Sequence, residues 1–442
     1  MPGSGAIETA LAEGLARLPA GPLLVAFSGG LDSSVLLHGL ARTAAARTRG
    51  LRAVHVDHGI HADSGAWAAH CRRFAGDLGV PLRVCRVEVA RDGGEGLEAN
   101  ARRVRHAAIR TSMADGEIAA FAHHRDDQAE TVLLKLLRSA GPEGLGGMRD
   151  LRRYSPGLAW RPLLELPRRA LEAYARRHGL RWIEDPSNAD AGIERNFLRK
   201  DVMPLLARRW PDAVERFAQS ATWMRAAAEY IDAQVEDALP DLVGADPATL
   251  DVRRWLALPA ALRDPLLRRW LRDLGLPGPS RHQLAELERQ LATAAEDRLP
   301  CLRWPGVELR RYRGLLYAMV PLLEPPSAWS APFDGDALAL PVELGVLRLV
   351  GQGGTPVRLA EPWQAHFRRD GGQLRLDAAG PTRELRKLFQ EAGVPPWQRA
   401  RLPLLSLDGR LLAVGDRWLS AEARQCLDSL GGRLEWSGAP IA

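Results

Sequence analysis

Ser28-Gly29-Gly30-Leu31-Asp32-Ser33-Ser34 stands between an apolar run, Leu23-Leu24-Val25-Ala26-Phe27, and a helical pattern, Val35-Leu36-Leu37-His38-Gly39-Leu40. A strand that turns through a short glycine loop into a helix aims backbone N–H groups and a helix N-terminus at an anion. Gly29 and Gly30 admit positive φ and let a ligand approach the backbone closely. Ser28, Ser33 and Ser34 add hydroxyl groups, and Ser33 or Ser34 is placed to cap the helix. Asp32 would repel phosphates unless a cation lay between, which makes it a candidate Mg²⁺ contact. The Lys of GxxxxGK[ST] is absent, and the spacing of GxGxxG is not met.

Outward from this loop, strands alternate with helices. Strands are expected at 22–27, 51–56, 82–88 and 117–122, and helices at 5–18, from the loop to about 46, and at 63–78 and 98–113. This alternation predicts an α/β fold, a parallel sheet with helices on both faces. Ligands bind such sheets outside the carboxyl ends of the strands. The loop at 28–34, His55–His58 and His123–Asp127 all fall at that edge. The cluster Ala122-His123-His124-Arg125-Asp126-Asp127-Gln128-Ala129-Glu130-Thr131 opens a helix, Glu130 to Leu137, with Asp126 or Asp127 as its cap. Asp127 and Glu130, three apart, share one helix face. Carboxylate-bound Mg²⁺ serving a nucleotide suits the cluster better than zinc, because adjacent residues point in divergent directions. Arg195 and Arg199, four apart, would present two guanidinium groups together to a phosphate or polyanion; the bland alternative is a solvated basic face.

With 442 residues, 46% of them hydrophobic and 26% charged, the chain has room for two to four ordinary globular domains. No segment has the uncharged apolar length of a membrane span, and the start lacks a secretory pattern, so a cytoplasmic location is expected. Cys71, Cys85, Cys301 and Cys426 form no CxxC, which argues against zinc ribbons, iron–sulfur clusters and disulfide frameworks. The formal charge of +6 is compatible with a nucleic-acid partner. Lys occurs only at Lys135, Lys200 and Lys387, an Arg bias that RNA contacts or a GC-rich genome would equally give.

The loop resembles the PP-loop of N-type ATP pyrophosphatases, which split ATP between the α and β phosphates. SGGLDS (28–33), HVDHGI (55–60), Glu98-x-x-Ala101-Arg102-x-x-Arg105, AHHRDDQAET (122–131), GLGGM (144–148), DPSN (185–188) and RNFLR (195–199) follow in one order. Together they resemble the tRNA(Ile)-lysidine synthase family, densely over 22–212 and again at Arg386–Trp397 and Arg401–Leu404. The resemblance implies ATP, Mg²⁺, L-lysine and a tRNA(Ile) with anticodon CAU. ATP would adenylate the C2 oxygen of the wobble cytidine, and the lysine ε-amine would then displace AMP to give lysidine. It implies that Ser28, Gly29, Gly30, Leu31, Asp32 and Ser33 bind ATP and that Asp32 and Asp127 hold the metal. Glu130 and His123 would bind or deprotonate lysine, and Arg195 would meet the adenylate or the RNA. Arg199, Arg386, Lys387 and Arg401 would contact the tRNA.

Two departures stand out: His106 where the family commonly has Tyr, and Arg138-Ser139-Ala140-Gly141 where Arg-Gly-x-Gly is common. The expected domains are a PP-loop ATP-binding catalytic domain at 1–211, a helical tRNA-binding domain at 212–320, a Pro-rich linker with a hairpin at 321–352, and a small α+β tRNA-binding domain at 353–442. The segment 139–158 reads as a mobile loop, and Trp255, Trp270 and Trp397 each read as packing residues. A homodimer and a monomer stay open. A PP-loop thiolase would need sulfur-carrying or cluster-ligating cysteines, and a small-molecule synthetase would not need a basic C-terminal half. A non-catalytic RNA-binding protein would have no use for intact SGGLDS and DDQAET.

Overall fold

A computed structural model describes residues 5–59, 61–88, 97–186, 192, 194–293, 300–367 and 372–437. It divides into two compact units, residues 1–231 and 232–442. In the first unit, α1 (Ala6–Arg17), β1 (Leu23–Ala26), α2 (Leu31–Ala41), α3 (Ala44–Thr48), β2 (Leu51–Asp57), α4 (Ser64–Asp77), β3 (Leu82–Arg86), α5 (Leu97–Ser112), β4 (Ile118–Ala120) and α6 (Arg125–Leu137) follow the expected alternation. A short α7 (Pro142–Leu145), the hairpin β5 (Leu151–Tyr154) and β6 (Gly157–Trp160), α8 (Arg168–Arg177), α9 (Glu194–Phe197), α10 (Met203–Arg209) and the part of α11 (Ala213–Leu242) up to residue 231 come next. The sheet order is β3-β2-β1-β4-β6-β5. All neighbours are parallel except β5, which closes the edge antiparallel to β6.

Side chains alternate between two cores, as the two-residue strand period requires. Leu23 and Val25 of β1, Ala53 of β2 and Ile118 and Ala120 of β4 meet Leu11, Leu36, Leu40 and Leu171 on one face. Leu24, Val54 and Ala119 meet Ile109, Met113, Phe121 and Tyr154 on the other. Burial on both faces explains why β1 reads as an unbroken apolar run. Strand order reverses between β1 and β4, so the crevice at their carboxyl ends is the topological switch point where this architecture binds ligands.

Several expectations are corrected. The segment 139–158 is not one loop; it holds α7 and the hairpin that completes the sheet. Helix α2 begins at Leu31 with Gly30 as its N-cap and no side-chain cap. Helix α6 starts at Arg125, capped by His124 rather than by Asp126 or Asp127. The first unit runs past 211, because the start of α11 packs on it: Arg225 donates to the carbonyls of Gly146 and Met148 at 3.1 and 2.9 Å. Ser187 and Asn188 of the DPSN motif, Ile60, and the side chain of Glu98 lie outside the described residues.

Helix α6 ends in a Schellman turn. Ser139 N–H donates to the Leu136 carbonyl and Ala140 N–H to the Lys135 carbonyl, both at 3.0 Å, with Ser139 at φ 53°. Gly adopts that left-handed position without strain. Ser139→Gly is therefore expected to raise the melting temperature of the protein by about 1–3 °C, a net gain of roughly 0.5–1 kcal/mol after the glycine's greater chain entropy. Differential scanning calorimetry checks it.

In the second unit, helices α12 (Val252–Ala257), α13 (Ala260–Asp273) and α14 (Arg281–Thr293) accompany a four-stranded antiparallel sheet, β7 (Thr249–Asp251), β10 (Leu315–Met319), β9 (Val307–Tyr312) and β8 (Cys301–Trp304). Trp255, Trp270 and Trp397 are buried. The expected linker at 321–352 is partly sheet. Ser330–Phe333 pairs with Trp363–Phe367, and Val346–Gly351 pairs with Gly432–Ser437. Leu338–Ala339 closes the hairpin onto Val346–Leu347. Pro332 hid the first of these strands, yet it sits on an edge strand, where a missing N–H costs nothing. Among the described residues no helix is long and apolar enough to cross a membrane.

Candidate active site

The loop after β1 is stitched by its own serines. Ser33 Oγ donates to the Gly30 carbonyl at 3.1 Å and accepts from Ser28 N–H at 3.2 Å, while the Ser28 and Ser33 hydroxyls lie 3.0 Å apart. Ser34 Oγ donates to the Gly29 carbonyl at 3.4 Å, and Ile183 N–H donates to the same oxygen at 2.9 Å. Ser33 and Ser34 therefore hold the loop's shape from beneath. Because α2 starts at Leu31, the N–H groups of Leu31, Asp32 and Ser33 have no helical carbonyl to bond and point out of the helix end.

Across the crevice, after β4, His124 makes a reciprocal cap. Its Nδ1 accepts from Asp127 N–H at 3.4 Å, and Asp127 Oδ2 accepts from His124 N–H at 3.1 Å. His124 Nε2 then faces two carboxylates, Asp32 Oδ2 at 3.6 Å and Asp127 Oδ2 at 3.5 Å. Burial alone would lower this imidazole's pKa, but Asp32, Asp127 and Asp126 together raise it above the usual value. His124 thus ties the β1 loop to the DDQ helix. It was legible only as one member of the His-His cluster.

Asp127 and Glu130 do share a face, and Arg195 and Arg199 close on it. Asp127 Oδ1 accepts from Arg195 Nη2 at 3.0 Å and from Arg199 Nη2 at 2.9 Å. Glu130 Oε2 accepts from Arg195 Nε at 2.8 Å, and Oε1 from Arg199 Nε at 2.7 Å. The two arginines, four apart, share one face where α9 runs into a π-turn, Leu198–Val202, an irregularity frequent at functional sites. Two carboxylates and two guanidiniums cancel in formal charge. Burial would raise the Asp127 pKa, yet His124, Arg195, His123 and Arg199 hold it down to about 2. The solvated basic face is not what forms, and Arg199 sits in this clamp.

His123 is set apart from that clamp. Its Nδ1 accepts from Arg161 Nε at 3.2 Å, its ring stacks on Phe121, and burial pushes its pKa down to about 3. Its available polar atom is then an Nε2–H donor. Arg161, itself 4% exposed and bonded to the Arg149 carbonyl, was missed in the sequence; its only signal was an Arg-Pro pair after a short strand.

For Mg²⁺ the fit is unequal. Asp32 Oδ1 is a buried carboxylate oxygen with no hydrogen-bond partner, in the first turn of α2 after the glycine loop. Both Asp127 oxygens are already engaged. Among the described residues no group of three or more His, Cys, Asp or Glu side chains surrounds a metal position, so Asp32 would hold the ion together with the phosphates it serves. Arg386 and Lys387 are exposed on Leu385–Glu391 in the second unit, whereas Arg401 donates to the Leu323 carbonyl.

Several imidazoles in the first unit are held neutral: burial, the largest cause in each case, lowers His38, His58 and His106 to about 4 and His123 to about 3. At pH 5 the unfolded chain binds protons at these positions and the folded chain does not, so the contribution of these four imidazoles to stability falls on acidification from about 6.5 to 4 and is constant above 7. His38, 9% exposed, contributes up to about 3 kcal/mol of that loss. Urea midpoints measured across this range check the expectation.

A strand–glycine loop–helix at a sheet's switch point, with Asp32 tied through His124 to a carboxylate–guanidinium clamp, defines a PP-loop enzyme that uses ATP. The PP-loop domain family matches residues 5–206, the TilS substrate binding domain residues 250–317, and the TilS substrate C-terminal domain residues 364–436. The tRNA(Ile)-lysidine synthase of Xanthomonas campestris pv. campestris (strain 8004) is 44% identical over 424 residues, 96% of this chain and 97% of that one. That of Alkalilimnicola ehrlichii is 45% identical, with 92% of each chain covered. A U34-tRNA thiolase structure, NcsA from Methanococcus maripaludis, matches with a TM-score of 0.41 and 15% identity, covering 50% of this chain and 78% of that one. The chain belongs to the tRNA(Ile)-lysidine synthase family. It is an ATP-dependent ligase that carries out the lysine-for-wobble-cytidine reaction on tRNA(Ile).

Proposed function

We propose that the crevice between β1 and β4 carries both half-reactions, with roles that differ from the family expectation at Glu130 and His123. In the first half-reaction the cytosine C2 oxygen attacks the α-phosphorus of ATP and pyrophosphate leaves. The backbone N–H groups of residues 29–33 and the α2 N-terminus hold the phosphates. Asp32 is the residue that would hold Mg²⁺, whose charge offsets that of the phosphates when it is bound. In the second half-reaction the lysine ε-amine attacks C2 and AMP departs.

Glu130 is 2% exposed and accepts three guanidinium N–H bonds, so it serves as an anchor and not as the base for lysine. Asp127 has the same role. Arg195 and Arg199, with side chains 21% and 33% exposed, turn the remainder of their charge to the crevice and stabilise the anionic phosphorus centre in both steps. His123 acts as a neutral hydrogen-bond donor. Every group invoked comes from one chain, so the reading holds for a monomer as for a homodimer. A cytoplasmic setting, where ATP, lysine and tRNA occur together, is the one it requires. Arg386 and Lys387 are proposed RNA contacts in the second unit.

The unpartnered Asp32 oxygen beside the clamp is the observation that supports this reading most. The test combines ATP, Mg²⁺, labelled lysine and a CAU-anticodon tRNA(Ile) transcript. Lysine enters the RNA only with ATP, and a methionine tRNA with the same anticodon is not labelled. Asp32→Ala is expected to abolish pyrophosphate release with tRNA binding retained; loss of tRNA binding instead would show the site to be misplaced.

A further inference from the structure

On the side of the sheet covered by α5, four arginines surround an open cavity of about 380 Å³ lined by Arg102, Arg103, His106, Arg110, Arg152 and Tyr154. All four arginines are exposed, whereas Tyr154 is buried and forms the floor. The Arg110 and Arg152 guanidiniums lie 5.4 and 6.0 Å from the Tyr154 ring centroid. Tyr154 donates its hydroxyl to the His106 carbonyl at 3.0 Å and lies 2.8 Å from His106 Nδ1. Among the described residues, Arg103, Arg110 and Arg152 have no carboxylate within ion-pairing distance; Arg103 bonds the Asn100 side-chain oxygen. Among the described residues no acidic side chain lines the cavity.

A solvated basic helix face would spread its charges. Here charges from α5 and from β5 converge on one concavity large enough for a nucleotide, where like charges repel until an anion enters. His106 is neutral at physiological pH, so the positive charge is all guanidinium and suits a phosphate geometrically. The basin also lies beside the crevice. The His106 ring packs on Phe121 with centroids 5.7 Å apart, and Phe121 stacks on His123 at 5.9 Å. The His106 imidazole thus links the basin to the crevice through aromatic contacts.

We propose that this basin is a subsite for the ribose-phosphate backbone of the RNA substrate, taking a phosphodiester close to the reacting nucleotide through Arg103, Arg110 and Arg152. This rests on the reading of the neighbouring crevice as the adenylation site. It gives the first unit its own grip on RNA, separate from the basic residues of the second.

The test is filter binding of the tRNA transcript to the full chain across about 50 to 300 mM KCl. The double variant Arg110→Gln/Arg152→Gln is expected to bind at least about 10-fold more weakly, with a salt slope shallower by about 1–2. Arg110→Lys/Arg152→Lys recovers most of the slope, and binding of a fluorescent ATP analogue is unchanged. Both substituted residues are exposed, and thermal melting confirms that the variants fold. Wild-type affinity and slope in the Gln variant would overturn the proposal. Equilibrium dialysis with inorganic phosphate and pyrophosphate separates the source of the anion: loss of their binding with tRNA affinity intact assigns the basin to a free anion and equally overturns it. Failure of lysine incorporation by the wild type would remove the adenylation reading and leave the binding result standing.

Discussion

Glu130→Gln is expected to lower lysine incorporation by at least about 10²-fold, with both half-reactions falling together. The carboxylate is 2% exposed and shared between Arg195 and Arg199. An amide of the same shape removes the charge and turns an NH₂ toward guanidinium donors. Asp127 is then left to neutralise two arginines alone. Removing one partner of a buried ion pair costs about 3–5 kcal/mol; the partial exposure of both arginines reduces this to roughly 2–3 kcal/mol of stability here. Catalysis suffers more, because the guanidiniums lose the anchors that fix their direction. The alternative assignment, Glu130 as the base for the lysine ammonium, makes a different forecast. In that case adenylate forms normally and only the second step stops. Single-turnover measurement of pyrophosphate release beside lysine incorporation separates the two, and normal pyrophosphate release would sink the anchor role. The clamp's own titration does not confuse the experiment. Asp127 has its pKa depressed to about 2, so its contribution is complete above the unfolded carboxyl range and is lost only as the pH falls from about 4 toward 2.

The same four residues show what the chain discloses by itself. Spacing places Asp127 and Glu130 on one helix face, and Arg195 and Arg199 on another, since helical periodicity is local. That the two faces meet is a non-local fact, and it changes the expected chemistry from proton transfer to anchoring. The parallel strands were legible because burial on both faces writes them as continuous apolar runs. The hairpin 151–160 was not, since Arg152 and Arg153 on an exposed edge strand carry no such signature. The strand at 330–333 depends on a partner at 363–366, and 346–351 on one at 432–437, both far along the chain. His124 as a helix cap escaped notice because Asp, Asn, Ser and Thr are the residues that sequence rules look for, and two aspartates stood next to it.

Gly29→Ala is expected to remove most ATP-dependent activity, and Gly30→Ala provides the contrast. Gly29 lies at φ +84°, and a Cβ there would come within 2.5 Å of Ile183 Cδ1 and 2.8 Å of Cys71 Sγ. Left-handed backbone costs an alanine about 1–2 kcal/mol, and the overlap adds about 1–3 kcal/mol if the neighbours hold. The Cys71 neighbour is fixed, since it is fully buried with His55 Nδ1 3.5 Å away. Relief therefore comes from the loop, whose Gly29 carbonyl carries the Ile183 and Ser34 bonds. Displacing it by even about 1 Å shifts Asp32 and the α2 N–H groups and costs roughly 10²-fold in rate. At Gly30, by contrast, a Cβ meets Ser28 Oγ at 3.6 Å and the Ile183 carbonyl at 3.9 Å, ordinary contacts, and φ is −73°. Without nucleotide, Gly29→Ala melts several degrees lower and Gly30→Ala melts like the wild type. With ATP, both bind more weakly, the second because its methyl group occupies space that the phosphates approach. A wild-type melting temperature for Gly29→Ala would show that the loop tolerates a side chain there. Undiminished ATP affinity in Gly30→Ala would move the phosphates off the loop.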